Sequence, residues 1–412
     1  MAGKMISLTA ADGGKFTGYL AMPQNGSGPG LLLLQEIFGV NYHIRAIADL
    51  YAEEGYVVLA PDIFWRIEPN VELTYSSDDV QKGRGYFQRL DLAQTTGDIA
   101  DALKALRATP GCNGKAATLG FCLGGLLAYL TAARTDVDAA VSYYGVRIDE
   151  HLGEAAKIKC PIVFHFGAND NYTPAPVREA IRQALAGNDQ AETYTYVGAD
   201  HAFNNRDRAN YNASAASLAH SRSLAVLRRA IGPRYDLDAL WEKHCEYEFA
   251  VRNVDETMKT MIAEPYVNHV PTMTGGVGYR DLHRFYKNHF IPRLPKDTKI
   301  VPISRTVGAD RVVDEIMFCF THDCEIDFLL PGVAPTGKYV EIPTVAIVQF
   351  RGDKLCNEHI YWDQATALVQ IGLLEPKKGL PIAGIEASKK VWDERLPSNT
   401  IMPTWPKSAP KE

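Results

Sequence analysis

Cys122 stands between two glycines, Gly120 and Gly124, each two residues away. This is the spacing of a nucleophile elbow, with cysteine where serine is usual. A sharp strand-to-helix turn holds its central residue in a strained conformation and crowds the residues two before and two after, so glycine fits at both. The turn also aims helix N–H groups at a developing anion and favours a thiolate. The same segment would suit a tight turn around a buried, inert cysteine, so its partners have to come from elsewhere. Asp170 follows one strand-like run, residues 162–166, and His201 follows the next, residues 192–197. Nucleophile, acid, histidine is the chain order of α/β-hydrolases. Such a set performs acyl transfer: the thiolate attacks a carbonyl, the histidine stabilises it and later activates water, and the acid orients the imidazole. The backbone N–H groups of Leu123 and Ile37 are the expected oxyanion donors. Taken singly, a post-strand aspartate is more often a turn residue.

These residues need a sheet whose strand ends gather them at one edge. Residues 5–21 read as two strands broken by Asp12-Gly13-Gly14. Leu31-Leu32-Leu33-Leu34 is an unbroken apolar run, as in a strand buried on both faces, and it ends in Gln35-Glu36-Ile37-Phe38-Gly39. A helix over 44–54 and a strand over 57–60 follow. Helices are expected around 98–107, 126–133, between Pro176 and Gly187, and over 213–229. Strands are expected at 116–119 and 139–143. Alternating strands and helices predict a mainly parallel α/β sheet covered on both sides, with ligands at the carboxyl ends of its strands.

The bulk numbers set limits. A chain of 412 residues should hold two or three domains. A net charge of −6 suggests neither nucleic acid nor an anionic membrane as a partner. No apolar run approaches the roughly 20 residues that span a bilayer. Seven scattered cysteines, and no signal-peptide pattern before the first strand, predict reduced thiols in the cytoplasm. No zinc-ligand spacing occurs, so no metal is expected and no cofactor is required.

After Gly232-Pro233-Arg234 the pattern changes. An amphipathic helix is expected after a cap at Asp236 or Asp238, and another over 279–289. Strands are then expected at 300–307, 312–320, 340–350 and 355–362, with turns at 308–310 and 352–353. Helices followed by antiparallel strands predict an α+β domain.

Residues 1–231 resemble the dienelactone hydrolase (carboxymethylenebutenolidase) family. The matching residues are Gln35 to Gly39, Gly120 to Gly125, Tyr143-Tyr144-Gly145, Asp170 with Pro174, and His201-Ala202-Phe203. The resemblance implies hydrolysis of a small-molecule lactone or ester through a thioester acyl-enzyme. It implies that Glu36 holds the resting thiol and takes part in its activation; a solvated loop acid is the plainer alternative. It also implies substrate-binding arginines, for which Arg84 and Arg206 are the candidates. A general carboxylesterase or thioesterase would use the same scaffold. Residues 236–375 resemble the SnoaL-like branch of the NTF2-like cone fold, chiefly through Glu358-His359-Ile360-Tyr361-Trp362-Asp363-Gln364. That resemblance implies a pocket, with His269, His359, Tyr361 and Asp363 as candidates, or a surface for homodimer contact. In the latter case the second domain would carry the main role. Residues 376–412 are expected to form an extended tail.

Overall fold

The structure is a computed structural model that describes residues 3–376 and 380–408. The chain divides into two compact units between Arg234 and Tyr235. No helix among the described residues is long and apolar enough to cross a membrane.

The strands of the first unit are β1 (Lys4–Thr9), β2 (Lys15–Ala21), β3 (Gly28–Leu34), β4 (Val57–Pro61), β5 (Cys112–Phe121), β6 (Ala139–Tyr143), β7 (Ile162–Gly167) and β8 (Ala191–Tyr196). Its helices are α1 (Tyr42–Glu53), α2 (Ser77–Arg89), α3 (Leu92–Ala108), α4 (Leu123–Arg134), α5 (Ala175–Ala184) and α6 (Ala213–Ile231). The sheet order is β1-β2-β4-β3-β5-β6-β7-β8. The β1–β2 hairpin is antiparallel, β2 joins β4 antiparallel, and every later pairing is parallel. The four leucines of β3 are completely buried. Burying a leucine is worth roughly 1.5–3 kcal/mol, so this run pins β3 to the centre of the sheet. Helix α2 has no apolar stripe for a sequence reading to find: only Gly83 and Tyr86 are buried, and Ser76 caps it by accepting from the Asp79 N–H.

The second unit has strands β9 (Met261–His269), β10 (Thr274–Val277), β11 (Lys299–Val307), β12 (Arg311–Thr321), β13 (Tyr339–Arg351) and β14 (Lys354–Trp362), in the order β10-β9-β14-β13-β12-β11. Strands β9 and β14 run parallel and the other neighbours antiparallel. The helices are α7 (Leu237–Cys245), α8 (Val254–Lys259), α9 (Gly278–Phe285), α10 (Gln364–Gln370) and α11 (Ile385–Trp392). Asp236 is the cap of α7. Single π-helical turns, Glu246–Ala250 and Tyr286–Phe290, extend α7 and α9. The expected extended tail contains α11 instead. Its Ser388 is buried and donates to the Glu341 carbonyl of β13 at 2.6 Å, which anchors the segment as a helix. Residues 377–379 and 409–412 of that expected tail lie outside the described residues.

Candidate active site

Cys122 sits between β5 and α4 with φ 56° and ψ −112°, a conformation that strains any residue with a side chain. The backbone around it is packed tightly enough to hold it there. A Cβ on Gly120 would stand 1.9 Å from the Gly124 carbonyl oxygen, and one on Gly124 would stand 2.1 Å from that of Leu34. Both glycines are therefore required, and the second lets the elbow lie directly against the end of β3. The Cys122 N–H donates to the Tyr143 carbonyl at 3.0 Å, which ties the elbow to β6. Leu123 is the first residue of α4, so its N–H has no partner within the helix. Ile37 follows Glu36 just beyond the end of β3.

Asp170 follows β7 and His201 follows β8, and the two meet: His201 Nδ1 lies 2.8 Å from Asp170 Oδ2. The other Asp170 oxygen accepts from the Tyr172 N–H at 2.8 Å. Burial pushes the Asp170 carboxyl up, but the hydrogen bond and charge of His201 and the Tyr172 N–H outweigh it and hold the group below its ordinary value. Burial alone would push His201 down. The charge of Cys122 in its thiolate form, then the bonds to Asp170 and Cys122, override it and lift the imidazole to about 10. His201 thus stands between Cys122 and Asp170 with its charged form favoured.

Glu36 is 2% exposed, so it is no solvated loop acid. Oε2 accepts from Asn205 Nδ2 at 3.2 Å, while Oε1 is buried without a hydrogen-bond partner. Tyr144 is nearby: fully buried, at φ 37°, its hydroxyl also without a partner. Burial first, then the charges of Glu36 and Cys122, raise its phenol well above the ordinary value, so it stays protonated. The Tyr144 ring stands edge-on to the His201 ring at 5.0 Å.

The two expected arginines part company. Arg84, on α2, donates to the Tyr172 hydroxyl at 2.7 Å, and the Tyr172 ring packs on His201 at 4.7 Å. Arg206 instead lies 6.0 Å over the Tyr211 ring. The arginine that turns inward is Arg208, over Phe38 and Tyr75 at 5.9 and 5.6 Å, close enough for its charge to act on Tyr144. Nothing in the spacing after His201 separates the two arginines; the loop decides it.

In the second unit, His269 is buried, whereas His359 and Tyr361 occupy the outward face of β14, where Tyr361 is 41% exposed. The two-residue period groups them correctly, but the inward set is Glu358, Ile360 and Trp362. Asp363 caps α10, accepting from the Ala365 N–H at 2.9 Å and the Thr366 hydroxyl at 2.6 Å. Among the described residues no group of three or more His, Cys, Asp or Glu side chains is arranged to hold a metal ion.

A model of the dienelactone hydrolase family matches residues 16–231. The carboxymethylenebutenolidase of Pseudomonas putida is 36% identical over 224 residues, spanning 54% of this chain and 94% of its own. That of Pseudomonas sp. strain P51 is 35% identical over 226 residues, again 54% and 94%. A crystal structure from Klebsiella pneumoniae subsp. pneumoniae, provisionally described as a dienelactone hydrolase, is similar at TM-score 0.50 and 30% identity. It covers 56% of this chain and 100% of its own.

Proposed function

Because the chain belongs to the dienelactone hydrolase family and is a hydrolase of carboxylic esters or lactones, we propose that it works through a cysteine nucleophile and a thioester acyl-enzyme. The strained Cys122 beside a His201 that is itself held by Asp170 is the observation that carries this reading. The Cys122 thiolate attacks the carbonyl carbon. The oxyanion is held by the Leu123 and Ile37 N–H groups. Collapse breaks the C–O bond, and His201 gives its proton to the departing oxygen. Neutral His201 then takes a proton from water, which attacks the thioester and expels the thiolate as the acid product leaves. Asp170 keeps the imidazole oriented throughout. Glu36, with Oε1 bare, is the group assigned to take the Cys122 proton, which leaves the thiolate paired with His201. Arg84 and Arg208 are the candidates for drawing an anionic substrate group, with Arg206 set aside from the site by its place over Tyr211.

The second unit is proposed to be an NTF2-like cone domain, supported by its six-stranded, mainly antiparallel sheet and accompanying helices. Its outward face at His359 and Tyr361 is the candidate for self-association into a homodimer. The reduced cysteines support a cytoplasmic setting.

The test is mass spectrometry of the intact chain quenched during turnover of a panel of lactones and linear esters. The expected result is an acyl adduct on Cys122, absent from Cys122→Ala. Full turnover by Cys122→Ala would overturn the cysteine mechanism, and the relative rates across the panel distinguish a lactonase from a general esterase.

A further inference from the structure

The loop between β7 and α5 carries more than the triad acid. Residues 170–173 form a turn: the Tyr172 N–H donates to Asp170 Oδ1 at 2.8 Å, and the Thr173 N–H to the Asp170 carbonyl at 3.3 Å. A carboxylate oxygen that accepts from the backbone two residues on makes an Asx turn, which fixes the backbone it holds. Arg178 closes the loop, donating from Nη1 to the Gly167 and Thr173 carbonyls at 3.2 and 2.6 Å. The side chain of Tyr172 therefore leaves a rigid base.

That side chain is half exposed, and an exposed tyrosine on a turn ordinarily samples several rotamers. This one is held at both ends. Its ring packs on His201 at 4.7 Å, and its hydroxyl accepts from Arg84 Nη2 at 2.7 Å. The His201 ring thus meets two phenols, Tyr144 at 5.0 Å and Tyr172. Tyr144 is fully buried, so Tyr172 is the ring on the solvent side, and the His201 side chain is left only 13% exposed.

Arg84 comes from a helix that is itself braced on the site. A Cβ on the preceding residue, Gly83, would stand 2.4 Å from the Ile37 carbonyl oxygen, so α2 lies directly against the residue expected to supply an oxyanion donor. Tyr86 ties the same helix to Glu68, donating at 2.5 Å. Two consecutive residues of α2 therefore reach the two sides of the chemistry: Gly83 meets Ile37, and Arg84 holds the ring on His201.

On the reading that His201 is the acid and base of the reaction, we propose that Tyr172, tethered by Arg84, is a positioning residue for it. The ring keeps the imidazole in register with Cys122 and Asp170 and keeps bulk water off it. A histidine that gives its proton to a departing oxygen, and next takes one from a single water, needs a fixed ring.

The test uses the full chain and p-nitrophenyl acetate, a neutral ester that gives Arg84 no anion to bind. Tyr172→Ala should lower kcat about tenfold and leave KM within about twofold, and Tyr172→Phe, which restores the ring, should recover most of the loss. Tyr172→Phe and Arg84→Met each cut the tether, so the double variant should be no slower than the slower single one. The second readout is ¹H NMR of the proton on His201 Nδ1, which should exchange with water faster in Tyr172→Ala than in the wild type or Tyr172→Phe. The same faster exchange is expected when Tyr172→Ala is made in Cys122→Ala, so this readout stands apart from the cysteine mechanism and can fail separately from it. Wild-type kcat or unchanged exchange in Tyr172→Ala would overturn the role of Tyr172. Losses that multiply in the double variant would overturn the tether.

Discussion

Asn205 donates from Nδ2 to Glu36 Oε2 at 3.2 Å, joining the end of β3 to a loop 169 residues further along the chain. The same amide nitrogen lies 2.8 Å from the Tyr75 hydroxyl, and Asn205 is fully buried. Asn205 is thus the side chain that fixes the carboxylate proposed to serve Cys122. Asn205→Leu keeps the bulk and removes the donor, leaving a buried carboxylate unpaired, a change that costs about 1–3 kcal/mol or more. We expect a lower melting temperature and a fall in kcat. Glu36→Gln, which removes the base and keeps the shape, should lower turnover by roughly 10²-fold. Wild-type turnover in both variants would show that this pair has no part in catalysis.

The elbow yields a sharper mutational expectation. Gly120→Ala would place a methyl group 1.9 Å from the Gly124 carbonyl oxygen. Neither atom is on a flexible side chain, so the turn itself must deform and Cys122 must move. Overpacking of this kind typically costs 1–3 kcal/mol. The expected readout is a Cys122 alkylation rate and a turnover that fall together, beyond what the drop in stability explains. Gly97→Ala on α3 would meet nothing within 4 Å and serves as the control. An elbow variant as active as that control would sink the packing argument.

What the sequence made legible was local. The four leucines announced β3 because a strand buried on both faces needs an unbroken apolar run. The glycines announced the elbow because its crowding leaves no other residue type. Asp170 and His201 were readable as the residues just past two strands. The missed features were assembled from distant parts. Asn205 and Arg208 are chosen by a loop that has no period. Strand β9 pairs in parallel with β14 almost a hundred residues later, and its one nearby partner, β10, is only four residues long, so little in the sequence marks it. Glu358 escaped for a different reason: on β14 the histidine and tyrosine looked like chemistry, and the glutamate one residue earlier faces the other way.

All the proposed catalytic residues precede Arg234, and the first unit has its own core. A chain ending at Gly232 should therefore fold and hydrolyse an activated ester such as p-nitrophenyl acetate at a rate within a few-fold of the full chain. Its oligomeric state by light scattering would show whether self-association resides in the second unit. A folded, soluble shortened chain without activity would refute the independence of the two units.

His201 offers a test that needs no substrate. Its imidazole ordinarily titrates near 6.5 and is lifted to about 10 in the folded chain, burial being outweighed by the Cys122 thiolate and Asp170. The folded state therefore holds a proton that the unfolded state has released between those two values. Stability from this proton is complete below pH 6.5 and is lost as pH rises through about 10. Removing the thiolate in Cys122→Ala removes the largest of the raising influences, so the titration of His201 should move down, and the melting temperature should fall less steeply between pH 7 and 10 than in the wild type. Asp170→Asn should also lower the titration, by removing the second partner. The measurement is the ¹⁵N chemical shift of the imidazole across pH, alongside thermal melts. A His201 that titrates near 6.5 in the wild type, or at the same pH in Cys122→Ala, would show that no thiolate–imidazolium pair exists in the resting enzyme.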